Sequence, residues 1–272
     1  MVYQSPYSVN THDPKHGFEA ISDNKFGYVT ADSDPTNHNR KVLRVDYKAG
    51  SYGTGTGKGA QFYIKPHNIS GGREELTLSY DLYIDPNFEW IKGGKLPGLF
   101  GGATTCSGHR DTDNCFSTRY MWRCHANGEI YAYIPHNQYP SYADWCDYDH
   151  ERGCNYHYDF VNNDIICNSH SGQSLGRGKF QYHHGRWHTF TQYVKLNHHQ
   201  NHDGELKVWV DGHPVYHETR LLFRNDSSIK IDGIFFSTFF GGNDHTWATK
   251  RDTYTLFRDF RLYDSEYTPA FG

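Results

Sequence analysis

The sequence predicts an all-β protein, a sandwich or jelly roll of antiparallel strands. Three observations carry that prediction. Apolar and polar residues alternate with period two along most of the chain, the spacing that sends successive side chains to opposite faces of a strand. Aromatic residues make up 17%, with 22 Tyr and 17 Phe, residue types that suit a pleated, half-buried surface. No segment carries an apolar stripe at helical spacing over three turns. Many strands without intervening helices can bury their apolar faces only against another sheet.

The strands follow in order. KVLRVDY (41–47) alternates up to the Gly50 turn, and QFYIK (61–65) runs to Pro66. LTLSYDLYI (76–84) stops at Asp85-Pro86. STRYMWR (117–123) and EIYAYI (129–134) flank Asn127-Gly128, and the second ends at Pro135. TFTQYVKLN (189–197) and GELKVWVDG (204–212) flank Asp203. IKIDGIFFSTFF (229–240) ends at Gly241-Gly242, and TYTLFRDFRLY (253–263) at Asp264. Breakers of these types punctuate strands. With no repeat, linker or shift in composition, one domain over 1–272 is expected, its first 20 or so residues loosely attached. Residues 136–180 read as a long loop carrying three of the six cysteines, and long stapled loops over a sandwich shape binding clefts.

The formal charge of -4, from 27 basic and 31 acidic residues, argues against nucleic acid as a partner. No apolar run approaches the ~18 residues of a membrane span, and MVYQSPYSVN lacks the apolar centre of a leader. Cys106, Cys115, Cys124, Cys146, Cys154 and Cys167 form an even, loop-clustered set, which points to disulfides and secretion. Cys106 with Cys115 and Cys146 with Cys154 are the natural short-loop pairs, and Cys124 with Cys167 a weaker one. Without a CxxC, structural zinc has little support. The sequons at Asn68 and Asn225 are compatible with secretion.

The hairpin FSTRYMWRCHANGEIYAYIP (116–135) decides where the chemistry sits. Ile130, Ala132 and Ile134 form a core set. A two-residue Asn127-Gly128 turn pairs odd positions with even ones and sets Tyr131 and Tyr133 beside Trp122. A three-residue Ala126-Asn127-Gly128 loop, with Gly128 left-handed, pairs even with even. Residues paired across the ladder share a face, so the second register unites Tyr120, Trp122, Ile130, Ala132 and Ile134. It leaves Ser117, Arg119, Arg123, Tyr131 and Tyr133 together on the other face. This register is preferred because the apolar sets then agree.

Cations beside phenols suit the β-elimination of a uronic-acid polymer. The sugar carboxylate must be neutralised, the C5 proton removed, and the departing C4 oxygen protonated. Arginine or lysine serves the first need, and a tyrosine can act as base or acid. Taken alone, the face fits a lyase and a sugar-stacking lectin equally. A glycoside hydrolase needs two carboxylates about the bond, and Glu129 is the only acid beside the tyrosines.

GGKLPGLFGG (93–102), STRYMWR, IYAYIP (130–135), GRWHTFTQYVKLN (185–197), VWVDGHPV (208–215) and FFSTFFGG (235–242) together resemble polysaccharide lyase family 14. That is the alginate and glucuronan lyase family of molluscs and algal viruses. The resemblance covers roughly residues 40–265 and implies a β-jelly roll, a two-sheet antiparallel sandwich. It implies a catalytic set of Lys95, Ser117, Arg119, Tyr131 and Tyr133, with Lys95 drawn from the KLPGL block alone. It also likens the Cys106–Cys115 loop to a stapled loop of the family. The Cys- and His-rich insert near 140–175 departs from the pattern.

The expected protein is thus a secreted endolytic lyase for mannuronate-rich alginate, needing no metal or cofactor and acting as a monomer. Glucuronan cleavage and lectin-like binding without catalysis are the alternatives. Arg123 and His109 are expected to contact the anionic chain, and Tyr193 and Lys195 to extend the groove. HHQNH (198–202) is read as surface histidines before a hairpin, and GTGTGKG (53–59) as a loop without the helix a phosphate site needs.

Overall fold

A computed structural model describes residues 1, 3–4, 20–25, 29–53, 59–108, 112–138, 165–166 and 172–270. Two eight-stranded antiparallel sheets face one another. The first contains β1 (Tyr3–Gln4), β3 (Val29–Asp34), β4 (Asn37–Tyr47), β6 (Glu75–Ile84), β12 (Trp187–Lys195), β13 (Gly204–Val210), β14 (His213–Leu221) and β16 (Thr253–Tyr263). Its order is β14-β13-β12-β6-β16-β4-β3, with β1 against β16. The second contains β2 (Ala20–Lys25), β5 (Ala60–Ile64), β7 (Gly93–Gly102), β8 (Cys115–Arg123), β9 (Asn127–Tyr133), β10 (Ile165–Ile166), β11 (Gln173–Gln181) and β15 (Ile231–Phe240). Its order is β10-β11-β9-β8-β7-β15-β5-β2.

The alternation read from the sequence now has a cause. Leu78, Tyr80, Leu82, Phe190 and Val194 of the first sheet pack against Tyr120, Trp122, Ile130, Ala132 and Phe236 of the second. Each large apolar side chain withdrawn from water contributes about 1.5–3 kcal/mol.

Strands also form where the sequence reads as turn or loop. GGKLPGLFGG is β7, a central strand between β8 and β15. Its Pro97 sits at a bulge, where the pairing to β8 slips between Leu96 and Gly98. There the missing N–H costs no ladder bond, and the Pro97 carbonyl accepts from the Tyr80 hydroxyl at 3.1 Å. Gly98 is required by close approach, since a Cβ there lies 2.0 Å from the Thr118 carbonyl oxygen. The end of the expected 136–180 loop is β11, paired with β9. HPVYHETRL is β14, returned against β13 after a turn at Asp211-Gly212. β2 and β3 are further strands ahead of the first one read from the sequence.

Candidate active site

The β8–β9 hairpin pairs Ser117 with Tyr133, Arg119 with Tyr131 and Trp122 with Gly128, so like parity meets like. The turn itself differs from the expected one. It spans Arg123–Asn127, and the left-handed residues are His125 (φ 60°) and Ala126 (φ 62°). Gly128 is part of the strand, and the Phe180 ring lies 2.0 Å from where its Cβ would be. Three-residue and five-residue loops both keep parity, which is why the face assignment survives a misplaced turn.

On the face turned away from the first sheet, Lys95 lies opposite Met121 in the β7–β8 ladder. Its Nζ is 3.0 Å from Met121 Sδ and 3.8 Å from the centre of the Tyr131 ring. The Tyr131 and Tyr133 rings meet edge to face at 5.7 Å. Arg119 Cζ lies 5.4 Å from the Tyr133 ring. Lysine, two phenols and arginine therefore stand in one row, the cations over ring faces where the aromatic quadrupole attracts them. Met121, both tyrosines, Trp247, Cys106 and Cys115 form a small apolar cluster of their own on this face.

Each phenol oxygen accepts a backbone hydrogen bond from a different loop. Gly108 N–H donates to Tyr133 Oη at 3.0 Å, and Gly172 N–H donates to Tyr131 Oη at 3.1 Å. Gly108 belongs to the loop closed by the Cys106–Cys115 disulfide. Ser117 is fully buried, and its hydroxyl donates to the Cys106 carbonyl at 2.9 Å. It fastens that loop to β8. Cys124 is also disulfide-bonded, while Cys146, Cys154 and Cys167 lie outside the described residues.

Two kinds of cation occupy the face. Glu129 is fully buried and accepts from Arg123 at 2.8 Å, from Arg177 at 2.5 Å and from the Ser174 hydroxyl. Burial pushes its carboxyl up, but the two guanidiniums outweigh this and hold it below the usual carboxylate range. Arg123 also lies 5.6 Å from the Tyr131 ring. Arg119 has a different environment. It is 1% exposed, stacks 4.6 Å from the Phe235 ring, and donates through Nη1 to Ser237 Oγ at 3.1 Å. Among the described residues no carboxylate pairs with it, and its Nε has no hydrogen-bond partner. Burial pulls its pKa down, opposed by the neighbouring tyrosines. A buried cation without an anion is costly, so the position favours an anionic ligand.

Tyr193 and Lys195 do not join this row. Both lie on β12, in the opposite sheet. The Tyr193 hydroxyl donates to Glu75, and burial together with Glu75 pushes that phenol up. Core packing of Phe190 and Val194 turns the odd positions of β12 outward, away from the second sheet. Tyr193→Phe and Lys195→Ala are accordingly expected to change kcat/KM by no more than about twofold, measured on the same substrate as the wild type. His109 lies outside the described residues. The sequence reading missed Ser237 and Phe235, although alternation in FFSTFF places both opposite Phe236. It also missed Ser174 and Arg177, which fall in the expected loop and carry no periodic signal.

The profile described as polysaccharide lyase 14 matches residues 35–260. The crystal structure of the marine PL-14 alginate lyase from Aplysia kurodai is similar, with a TM-score of 0.79 at 34% identity over 98% of this chain and 99% of that one. The alginate lyase vAL-1 from Chlorella virus has a TM-score of 0.70 at 18% identity, over 94% of this chain and 98% of that one. The endo-β-1,4-glucuronan lyase from the fungus Trichoderma reesei has a TM-score of 0.56 at 13% identity, over 96% and 94%. These last two share the fold. Comparison with curated protein sequences finds no match. The profile runs through β7, β8 and β9, the strands that carry Lys95, Arg119 and the tyrosine pair: the chain belongs to polysaccharide lyase family 14.

Proposed function

We propose that the protein is a secreted endolytic lyase that cleaves mannuronate-rich alginate by β-elimination. The observation that carries this reading is Arg119, a buried guanidinium with no carboxylate partner among the described residues, set beside two tyrosines and across from Lys95. The 34% identical relative is an alginate lyase, which supports a polyuronate as the substrate. The disulfide supports an oxidising compartment.

In this reading Arg119 and Lys95 bind the uronate carboxylate and stabilise negative charge as it spreads from C5 into that group. One tyrosine, as phenolate, takes the C5 proton. The C5–H electron pair becomes the C4=C5 double bond, the C4–O bond breaks, and its pair leaves with the glycosidic oxygen. A phenol O–H protonates that oxygen. Ser117 acts through the disulfide loop, where its hydroxyl is engaged.

The test is the ultraviolet absorbance of the new double bond on alginate rich in mannuronate, on alginate rich in guluronate, and on glucuronan. The mannuronate-rich polymer is expected to react fastest and to give a broad early spread of product sizes. Lys95→Ala and Tyr133→Phe are each expected to lower turnover at least about 100-fold. Binding without absorbance on all three polymers would leave a lectin, and near-normal rates in Tyr131→Phe and Tyr133→Phe alike would remove tyrosine from the chemistry.

A further inference from the structure

On β5, Phe62 and Ile64 enter the core, which turns Gln61 and Tyr63 toward the catalytic face. Tyr63 pairs with Phe235 across the β5–β15 ladder. Their rings stack at 4.2 Å, and Phe100 meets Tyr63 edge-on at 4.7 Å. The other neighbour of Phe235 is the Arg119 guanidinium, 4.6 Å away. Tyr63 is 4% exposed, so its single polar atom must be satisfied inside the protein. It donates to the Thr104 carbonyl at 3.0 Å.

Thr104 lies in the connection from β7 to β8, two residues ahead of the segment that the Cys106–Cys115 disulfide closes. Two hydroxyls of the catalytic face therefore donate into carbonyls of this one connection, Tyr63 at Thr104 and Ser117 at Cys106. The connection returns an N–H to the face, from Gly108 to Tyr133 Oη. Gly108 itself, at φ 66°, has nothing among the described residues within 4 Å of where a Cβ would be. The fastening at Thr104 and Cys106 thus bears on where that N–H sits.

We propose that Tyr63 is a positioning residue of the elimination, fastening the disulfide loop so that the Gly108 amide holds the Tyr133 hydroxyl at the reacting bond. The inference rests on the lyase reading of Tyr133. Burial pushes the Tyr63 phenol up to about 12, so it stays a donor throughout neutral and mildly alkaline conditions. Its stacking on Phe235 also walls one side of Arg119, but that contact needs only the ring. The hydroxyl and the ring thus have separable tasks, and Tyr63→Phe removes only the first.

In Tyr63→Phe, kcat on alginate is expected to fall about tenfold while KM stays within about twofold, the pattern of a misplaced reacting group. Hydrogen exchange of the amides in 103–108 is expected to accelerate. The decisive measurement is the double variant. Added to Tyr133→Phe, the Tyr63→Phe change is expected to cost less than about twofold more, because it acts through the hydroxyl already removed. Cys106→Ser with Cys115→Ser is expected to give the same kcat-selective loss, and to be non-additive with Tyr63→Phe. A purely structural role would lower the melting temperature and leave kcat per folded molecule unchanged, which overturns the proposal. An equal tenfold loss in both backgrounds overturns it too, by locating the effect elsewhere. If Tyr133→Phe is inactive and Tyr63→Phe is normal, only this inference fails. If Tyr133→Phe keeps full turnover, the reading of Tyr133 fails with it.

Discussion

Arg119→Met lowers kcat/KM on polyuronate by at least about 100-fold, the expected loss when a preorganised cation facing developing charge is removed, and leaves the melting temperature unchanged or raises it. The two halves of this expectation come from the same observation. Arg119 is buried against Phe235 and Tyr133, and among the described residues it has no acid to pair with and an Nε without a partner. The Ser237 hydroxyl and the two rings offset part of the cost of this desolvated charge, and a bound anion would offset more of it. Methionine fills similar volume without that charge. A structural arginine behaves in the opposite way, since its loss leaves a partner unsatisfied and the protein melts earlier. Arg119→Lys is not expected to restore activity, because an ammonium cannot stack on Phe235 while presenting a planar fork to a carboxylate. Steady-state kinetics and thermal unfolding on the same preparations check both halves. A melting temperature several degrees lower in Arg119→Met, with turnover retained, assigns the residue to the fold instead.

The parts of this site that the sequence discloses share one property: they lie on strands with strict alternation. In STRYMWR and EIYAYI the set Tyr120, Trp122, Ile130, Ala132 and Ile134 enters the core, so Arg119, Tyr131 and Tyr133 have no other face to occupy, and Met121 is the one apolar residue that shares it with them. The same rule fails for β7. GGKLPGLFGG offers glycine and proline at positions where a strand normally carries side chains, because β7 is squeezed between β8 and β15 and bends at Pro97. Lys95 could be placed only by resemblance to a family, since periodicity is lost where backbone crowding chooses the residues. Tyr193 shows the converse error. Its strand alternates cleanly, and parity says which face a residue occupies but not which of two sheets holds the strand. Sheet membership depends on long-range order, β12 between β13 and β6, and no local pattern encodes it. The loop amides of Gly108 and Gly172 were invisible for a third reason, because a backbone N–H has no sequence signature.

Glu129→Gln separates the electrostatic from the steric part of the same face. The carboxylate is fully buried among Arg123, Arg177 and Ser174. The amide is nearly its shape but leaves two guanidiniums around a neutral group. Removing one partner from a buried ionic cluster typically destabilises by about 3–5 kcal/mol, which for a chain of this size corresponds to a melting temperature lower by about 10 °C. The pH dependence identifies the cause. The guanidiniums hold the folded carboxyl below its unfolded range, so the unfolded chain binds the proton at a higher pH than the folded one. The stabilisation is therefore complete above the ordinary glutamate pKa of ~4.3, and is lost as pH falls through the depressed folded value. The gap in stability between wild type and Glu129→Gln is expected to be widest near neutrality and to close on acidification below about pH 4. Denaturant unfolding at stepped pH measures it. A gap that stays constant down to pH 3 means that the amide packs badly and that the charge contributes nothing. Because Arg123 lies over the Tyr131 ring, the same variant removes a negative charge from beside a cation that touches a phenol of the candidate site. Turnover should then change at neutral pH even at temperatures where the variant is fully folded, which ties the buried acid to the chemistry above it.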